Sequence, residues 1–76
     1  MEDVLKTIIT NLVDNQEAVE IKQIEGEKTI IFEVKVAEGD MGKIIGRQGK
    51  IAQSIRTVMR AVANRKDKKV TVEFIG

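Results

Sequence analysis

Apolar residues recur along this chain with two different periods, and these periods divide its first half into one helix and two strands. Apolar positions three and four apart predict an amphipathic helix over about residues 2–14. Apolar and polar residues then alternate over about residues 18–25, and more regularly over residues 29–36, which predicts two strands. The segment from Glu25 to Lys28 separates them and contains a glycine, so a hairpin is expected.

The same patterns predict two further helices and a last strand in the second half. A short helix is expected from about Met41 to Ile45, with Asp40 capping its start by accepting a backbone N–H. Gly46 is expected to end it in a left-handed conformation. A longer helix over about residues 50–65 has one apolar stripe, formed by Ile51, Ile55, Val58, Met59 and Val62. Alternation from Val70 to Phe74 predicts the third strand.

This order of elements predicts an α+β fold, with a three-stranded sheet covered on one face by three helices. A chain of 76 residues has room for one small domain, which is expected to span residues 1–76. We find no internal repeat, low-complexity tract or linker in the sequence.

The two glycines between the second and third predicted helices mark a candidate anion-binding loop. Gly46 and Gly49 enclose Arg47 and Gln48, so the main chain has little side-chain cover there. The N–H groups at the start of the following helix favour an anion, and Arg47 and Lys50 supply mobile cations. These four loop residues alone fit a plain turn between helices better, but the element order and the charge distribution favour the anion site.

The charge distribution is strongly asymmetric although the net charge is only +1. Residues 1–40 carry a net charge of −6, whereas residues 41–76 carry +7. This asymmetry indicates a basic face directed at a polyanion. Lys43, Arg56 and Arg60 would extend that face, although the two arginines also fit ordinary solvated helix positions.

The segment from Ile45 to Gly49, placed between two helices, resembles the GXXG motif of KH domains. The helix and hairpin that precede it resemble the type II arrangement (α-β-β-α-α-β), and the resemblance covers essentially the whole chain. Within that class the chain resembles the KhpA family of small bacterial proteins with a single KH domain. The resemblance implies RNA binding, in which the glycine loop clamps the backbone of about four single-stranded nucleotides. It also implies homodimers and pairing with KhpB, a larger RNA-binding protein that carries a KH domain.

The expected RNA-binding site combines the loop with its flanking residues. Ile44 and Ile45 would supply one core contact and one apolar wall of the base-binding groove, in an order that the sequence leaves open. Ala52 stands where many KH domains have a large aliphatic residue, whereas Ile55 matches the KH pattern, so we expect the groove to differ in shape from that of other KH domains. The complete set of expected RNA-binding residues is Lys43, Ile44, Ile45, Gly46, Arg47, Gln48, Gly49, Lys50 and Arg56.

Composition disfavours several other functions. The chain contains no histidine and no cysteine, so no acid–base pair or metal cluster can be built from its residue spacing; we expect neither catalysis nor a cofactor. Phe32 and Phe74 are in phase with aliphatic neighbours, which disfavours the exposed aromatic strands of RNA-recognition motifs and cold-shock domains. The acidic N-terminal segment leads into no long apolar run, so we expect a cytoplasmic protein without a membrane span.

Two alternatives to RNA binding remain open from the sequence. A glycine turn between helices also occurs in helix–turn–helix DNA-binding proteins, although a first helix of about five residues is short for that role. The same glycine face or an edge strand could instead mediate self-association or bind a larger protein partner.

Overall fold

A central strand with one antiparallel and one parallel neighbour organises the fold. The computed structural model describes residues 1–75, which form an α+β structure with a mixed three-stranded sheet and three helices, as the sequence predicts. The helices and strands in chain order are α1 (Glu2–Leu12), β1 (Glu20–Glu25), β2 (Thr29–Lys35), α2 (Met41–Ile45), α3 (Lys50–Asn64) and β3 (Lys69–Ile75). Short 3-10 turns occupy Gln16–Ala18, Glu38–Asp40 and Arg47–Gly49.

The sheet has the order β1-β2-β3, and its register places Gln23 and Val72 on either side of Phe32. The predicted hairpin joins β1 to β2, and the Gly26 N–H donates to the carbonyl oxygen of Thr29 over 2.7 Å. β3 runs parallel to β2 because α2, the glycine loop and α3 form the crossover between them. The carboxyl ends of β2 and β3 therefore lie at the same edge of the sheet.

The core lies between the helices and one face of the sheet. The alternation predicted for β2 is confirmed, since Ile30, Phe32 and Val34 are buried. Opposite them, each helix buries large apolar side chains with no exposed surface: Leu5 and Ile9 of α1, Ile44 of α2 and Met59 of α3. The hydrophobic effect of this one cluster holds the α2–loop–α3 segment against the sheet.

Two boundaries differ from the sequence expectation by two residues. The first helix ends at Leu12 rather than near residue 14, because Val13 adopts an extended backbone and buries its side chain in the core. The first strand starts at Glu20 rather than near Ala18, because Gln16–Ala18 forms a 3-10 turn. These short-range changes leave the predicted order of elements intact.

The buried stripe of α3 is shifted around the helix relative to the expected one. Ile51 and Val58 are 36% and 43% exposed. The residues of α3 that bury against the sheet and α1 are Ala52, Ile55, Met59 and Ala63. Ile51 and Val58 instead lie beside Ile8 and Leu12 of α1. The expectation was correct for Ile55 and Met59 and wrong for Ile51 and Val58.

Candidate nucleic-acid interface

Gly46 ends α2 with a backbone conformation that is open to glycine alone. Its φ of 72° and ψ of −178° lie in a region that side chains exclude. The expected left-handed helix stop is therefore wrong in detail, although the positive φ is confirmed. A Cβ atom at Gly46 would lie 2.6 Å from Cγ1 and 2.9 Å from Cβ of Ile51. Both the backbone conformation and the packing of α3 thus require glycine here.

The rest of the loop is left-handed at two consecutive residues. Gln48 has φ 56° and ψ 25°, and Gly49 has φ 74° and ψ 14°. The Gly49 N–H donates to the Gly46 carbonyl oxygen over 3.3 Å, which closes a tight turn. Apart from the glycine, its chain neighbours and the adjoining helix backbone, no heavy atom of residues 1–75 lies within 4 Å of a Cβ built on Gly49, so this position faces open space. The turn leaves the side chains of Arg47 and Gln48 exposed.

The start of α3 combines an uncapped helix end with positive charge. No side chain caps the helix, and its first turn contains no acidic residue. The Lys50 N–H donates to the Arg47 carbonyl oxygen, and the positive end of the helix dipole favours an anion here. The side chains of Arg47 and Lys50 are exposed beside it. This end of α3 therefore favours a phosphate through the helix dipole and through two cationic side chains.

Asp40 does not cap α2, contrary to the sequence expectation. It has helical backbone angles and makes no capping hydrogen bond. Its carboxylate, only 4% exposed, instead accepts hydrogen bonds from the backbone N–H groups of Asp14 (3.3 Å) and Asn15 (3.0 Å). The hydrogen bond from the backbone N–H of Asn15 is the main cause of the lowered pKa of Asp40. Asp40 therefore links the chain after α1 to the start of α2. Its two hydrogen-bond donors stand 26 and 25 positions before it in the sequence.

Lys43 takes part in the same polar cluster. Its ammonium group forms ion pairs with Asp14 and, over 3.3 Å, with Asp40. The hydrogen bond to Asp14 is the main cause that raises the pKa of Lys43. The structure thus places this expected RNA-binding residue on the α1 side of α2, where two carboxylates offset its positive charge.

The two isoleucines of α2 have different environments. Ile44 has no exposed surface and belongs to the core, whereas Ile45 is 38% exposed. Of the pair, Ile45 is therefore the residue available to form an apolar wall next to the glycine loop. The buried Ile44 holds α2 in place.

Arg56 lies away from the loop, against the free edge of the sheet. Its Nε–H donates to the Val72 carbonyl oxygen over 3.2 Å, and its guanidinium carbon lies 5.2 Å from the centre of the Phe74 ring. Both side chains are half-buried. Because β2 pairs with the other edge of β3, this contact covers part of the edge that has no neighbouring strand among residues 1–75. Sequence reasoning missed the roles of Val72 and Phe74, whose alternation indicates only core positions.

A crevice lies between the C-terminal part of α3 and the start of β3. It is lined by Arg60, Asn64, Lys68, Lys69, Val70 and Thr71. Lys68 forms an ion pair with Glu25, whereas Arg60 and Lys69 are exposed. The α3–β3 side of the molecule therefore combines basic side chains with an adjacent strand edge.

The opposite side of α3 forms an apolar groove with α1, which the sequence analysis did not predict. It is lined by Ile8, Leu12, Ile51, Ser54, Ile55 and Val58. The apolar spacing of both helices could have indicated it, since α1 and α3 each carry more apolar residues than one buried stripe requires.

Neither a metal site nor a membrane span is found within residues 1–75. No group of three or more acidic, histidine or cysteine side chains lies close enough together there to hold a metal ion. No helix in the same range has the length and apolar character needed to cross a membrane.

Comparison with known proteins identifies the family. The family model of the KhpA/KhpB KH domain matches residues 2–74. The chain belongs to this family. It is 53% identical over 75 residues to the RNA-binding protein KhpA of Caldanaerobacter subterraneus subsp. tengcongensis, a match that covers 99% of this chain and 100% of that protein.

Other relatives have the same description. The RNA-binding proteins KhpA of Clostridium acetobutylicum and Chlamydia trachomatis are 49% and 45% identical over 75 residues. These matches cover 99% of this chain and 100% and 96% of the two relatives. The resemblance to the KhpA family is thereby confirmed along nearly the whole chain.

Proposed function

We propose that this protein binds single-stranded RNA and grips its phosphate backbone with the loop from Gly46 to Gly49. The observation that supports this most is the combination of positive φ at Gly46, Gln48 and Gly49 with the uncapped start of α3. At Gly49 no side chain stands in front of the main chain, and the relatives are described as RNA-binding proteins. Phosphate groups fit this arrangement because they are anionic and accept several hydrogen bonds.

The expected site residues divide by role. Arg47 and Lys50 pair with phosphates, Gln48 donates a neutral hydrogen bond, and Ile45 contacts the apolar face of a nucleotide. Lys43 holds α2 in place through Asp14 and Asp40, so it supports the loop instead of binding RNA directly. Affinity is modest and falls steeply with salt, because phosphate contacts dominate.

In the cell we propose a cytoplasmic role as an RNA chaperone or post-transcriptional regulator. One KH-like domain spanning residues 1–76 performs it, without a cofactor and without catalysis. A helix–turn–helix mode of DNA binding is disfavoured, because α2 is only five residues long and buries Ile44 in the core. In a competition assay, excess duplex DNA should leave bound single-stranded RNA in place.

The loop is tested by changing Arg47 and Gln48 to Asp together. Both side chains are exposed, so the double variant should fold normally and lose RNA binding. A matched control changes Lys28 and Gln23 to Asp, which alters the net charge equally near the hairpin. Fluorescence anisotropy with short single-stranded RNA should show binding by the control and none by the loop variant. Equal RNA affinity for the two folded variants would refute the proposed site.

A second proposed function is homodimerisation through the groove between α1 and α3. The exposed apolar surface of Ile51 and Val58 beside Ile8 favours this, because a second copy would cover it. The groove lies on the other side of α3 from Arg56, so one protomer could bind RNA and a second copy together. The same groove is the proposed docking surface for KhpB, whose KH domain shares the family model.

Sedimentation velocity at two concentrations tests this second function. The wild-type chain should sediment faster at the higher concentration, and Val58→Glu should remain monomeric at both. Thr57→Glu is the matched control, since Thr57 is exposed but does not line the apolar groove. Monomeric wild-type protein at both concentrations, or a shift that Val58→Glu leaves unchanged, would contradict a dimer through this groove.

A further inference from the structure

Strand β1 forms the more open of the two edges of the sheet. It has β2 on one side and no strand of residues 1–75 on the other. Five of its six residues are exposed, and only Ile21 is half-buried. At the opposite edge the side chain of Arg56 covers part of β3. An edge strand presents unpaired N–H and carbonyl groups, so β1 can accept a further strand.

The hairpin indicates which main-chain groups of β1 point away from β2. Gly26 and Thr29 form a hydrogen-bonded pair at its turn. Hydrogen-bonded and non-hydrogen-bonded pairs alternate along two antiparallel strands. Along the register of β1 and β2, Lys22 therefore directs its N–H and carbonyl groups at β2. The main-chain groups of Ile21 and Gln23 face the free edge.

Charge selects one register for a second copy of β1 at this edge. Two antiparallel copies related by a two-fold axis place one residue opposite itself. An axis at Glu20 or at Lys22 brings two like charges together, which destabilises the pairing. An axis at Gln23 sets Lys22 opposite Ile24. An axis at Ile21 sets Glu20 of each copy opposite Lys22 of the other, and no other axis within β1 pairs opposite charges.

The outer face of the sheet continues this charge pattern into β2. Within one copy Glu20 lies opposite Lys35, and Lys22 lies opposite Glu33. None of these four side chains forms an ion pair within residues 1–75. With the axis at Ile21, the signs alternate along the row that crosses from one copy to the next: Lys35 and Glu20 of the first copy, then Lys22 and Glu33 of the second. The helices pack on the other face of the sheet, so they do not obstruct this row.

The helix side of the same register adds apolar and main-chain contacts. Ile21 packs against the edge of the core, and the axis brings it next to Ile21 of the second copy. Val19 has an extended backbone, with φ −72° and ψ 123°, so its carbonyl oxygen can accept from the Gln23 N–H of the second copy. The overlap is short, and a dissociation constant in the millimolar range is expected.

We propose that β1 is a second self-association surface, on which another copy of this chain adds antiparallel about Ile21 and joins two sheets into one. This surface goes beyond the proposed groove dimer, since no residue of β1 lines the groove between α1 and α3. One molecule can use both surfaces at once. Two different two-fold contacts on one molecule generate an open chain of copies instead of a closed dimer.

The experiment uses the Val58→Glu chain, in which the groove contact is removed, and measures amide hydrogen exchange by NMR at micromolar and millimolar protein. Sedimentation at micromolar concentration would not detect so weak a contact. At a concentration equal to the dissociation constant half of the chains are paired, so exchange at Ile21 and Gln23 should slow about twofold. Exchange at Lys22, whose N–H already faces β2, should not depend on concentration.

Charge reversal tests the register in the same background. Glu20→Lys and Lys22→Glu should each abolish the concentration dependence, and the double variant should recover it at least in part, because opposite charges face each other again. Glu73→Lys is the matched control, since Glu73 is exposed on β3 away from this edge, and it should leave the dependence unchanged.

Three results would overturn the proposal: no concentration dependence at Ile21 and Gln23, a dependence that either single reversal retains, or a double variant without recovery. Backbone amide spectra show whether each variant keeps its fold. The groove dimer is judged separately, because sedimentation of the chain with Val58 intact should be the same with Glu20→Lys as without it.

Discussion

Replacing each glycine of the loop with alanine separates two physical requirements that the sequence motif combines. At Gly46 alanine meets both a forbidden backbone conformation and a close contact with Ile51. At Gly49 it meets only a left-handed backbone, because the space around the added Cβ is empty. The two substitutions should therefore differ clearly in their effect on stability.

The expected magnitudes follow from these contacts. A residue strained in the region of Gly46 costs about 1–3 kcal/mol. Overpacking against Ile51 costs about 1–3 kcal/mol more, because the contact includes the Ile51 Cβ, which cannot rotate away from the α3 backbone. Gly46→Ala should thus lower the free energy of unfolding by about 2–6 kcal/mol, against about 1–2 kcal/mol for Gly49→Ala.

Urea denaturation followed by circular dichroism measures both values. The midpoint of Gly46→Ala should fall well below that of Gly49→Ala. Adding Ile51→Ala to the Gly46 variant should recover only part of the loss, because the backbone strain and the Cβ contact remain. Equal midpoints for the two single variants would refute the assignment of Gly46 as the residue that packing and backbone conformation both require.

Three further predictions concern the contacts around the site. Asp40 has a lowered pKa in the folded state, so its contribution to stability is present above its ordinary value of 3.8 and is lost as the pH falls through the folded value. Asp40→Asn should flatten the acid limb of the stability–pH curve only in part, because the hydrogen bond from Lys68 also lowers the pKa of Glu25. An unchanged acid limb would contradict the role of Asp40. Met59→Ala should cost about 2–5 kcal/mol in urea denaturation, and an effect below about 1 kcal/mol would contradict the burial of Met59. Arg47→Ala should reduce the slope of log affinity against log salt concentration by about one, and an unreduced slope would show that Arg47 makes no phosphate contact.

Local sequence patterns predicted the elements because their signals lie within a few residues. The alternation of β2 is regular, and its alternate residues face the core as predicted. The two loop glycines were correctly placed between helices, since positive φ at a helix end is a local requirement. The hairpin turn at Gly26 followed from the same kind of signal.

The features that sequence reasoning missed depend on distant partners. Asp40 precedes a helix and so fits a capping position, but the backbone N–H groups of the chain after α1 are its actual partners. Periodicity could not choose the buried face of α3, because apolar residues extend around more than half of the helix. The partners of Arg56 on β3 lie 16 and 18 positions further along the chain. Such contacts are set by the packing of elements, which single-sequence patterns do not encode.

Titration of isotope-labelled protein with a random pool of short single-stranded RNA, followed by amide NMR, tests the central claim most directly. The account predicts shifts at Gly46, Gln48 and Gly49 and at the start of α3, with smaller shifts beside Arg56. It also predicts that these shifts vanish at high salt. Absence of shifts at low salt, or shifts confined to the groove between α1 and α3, would contradict RNA binding at the glycine loop.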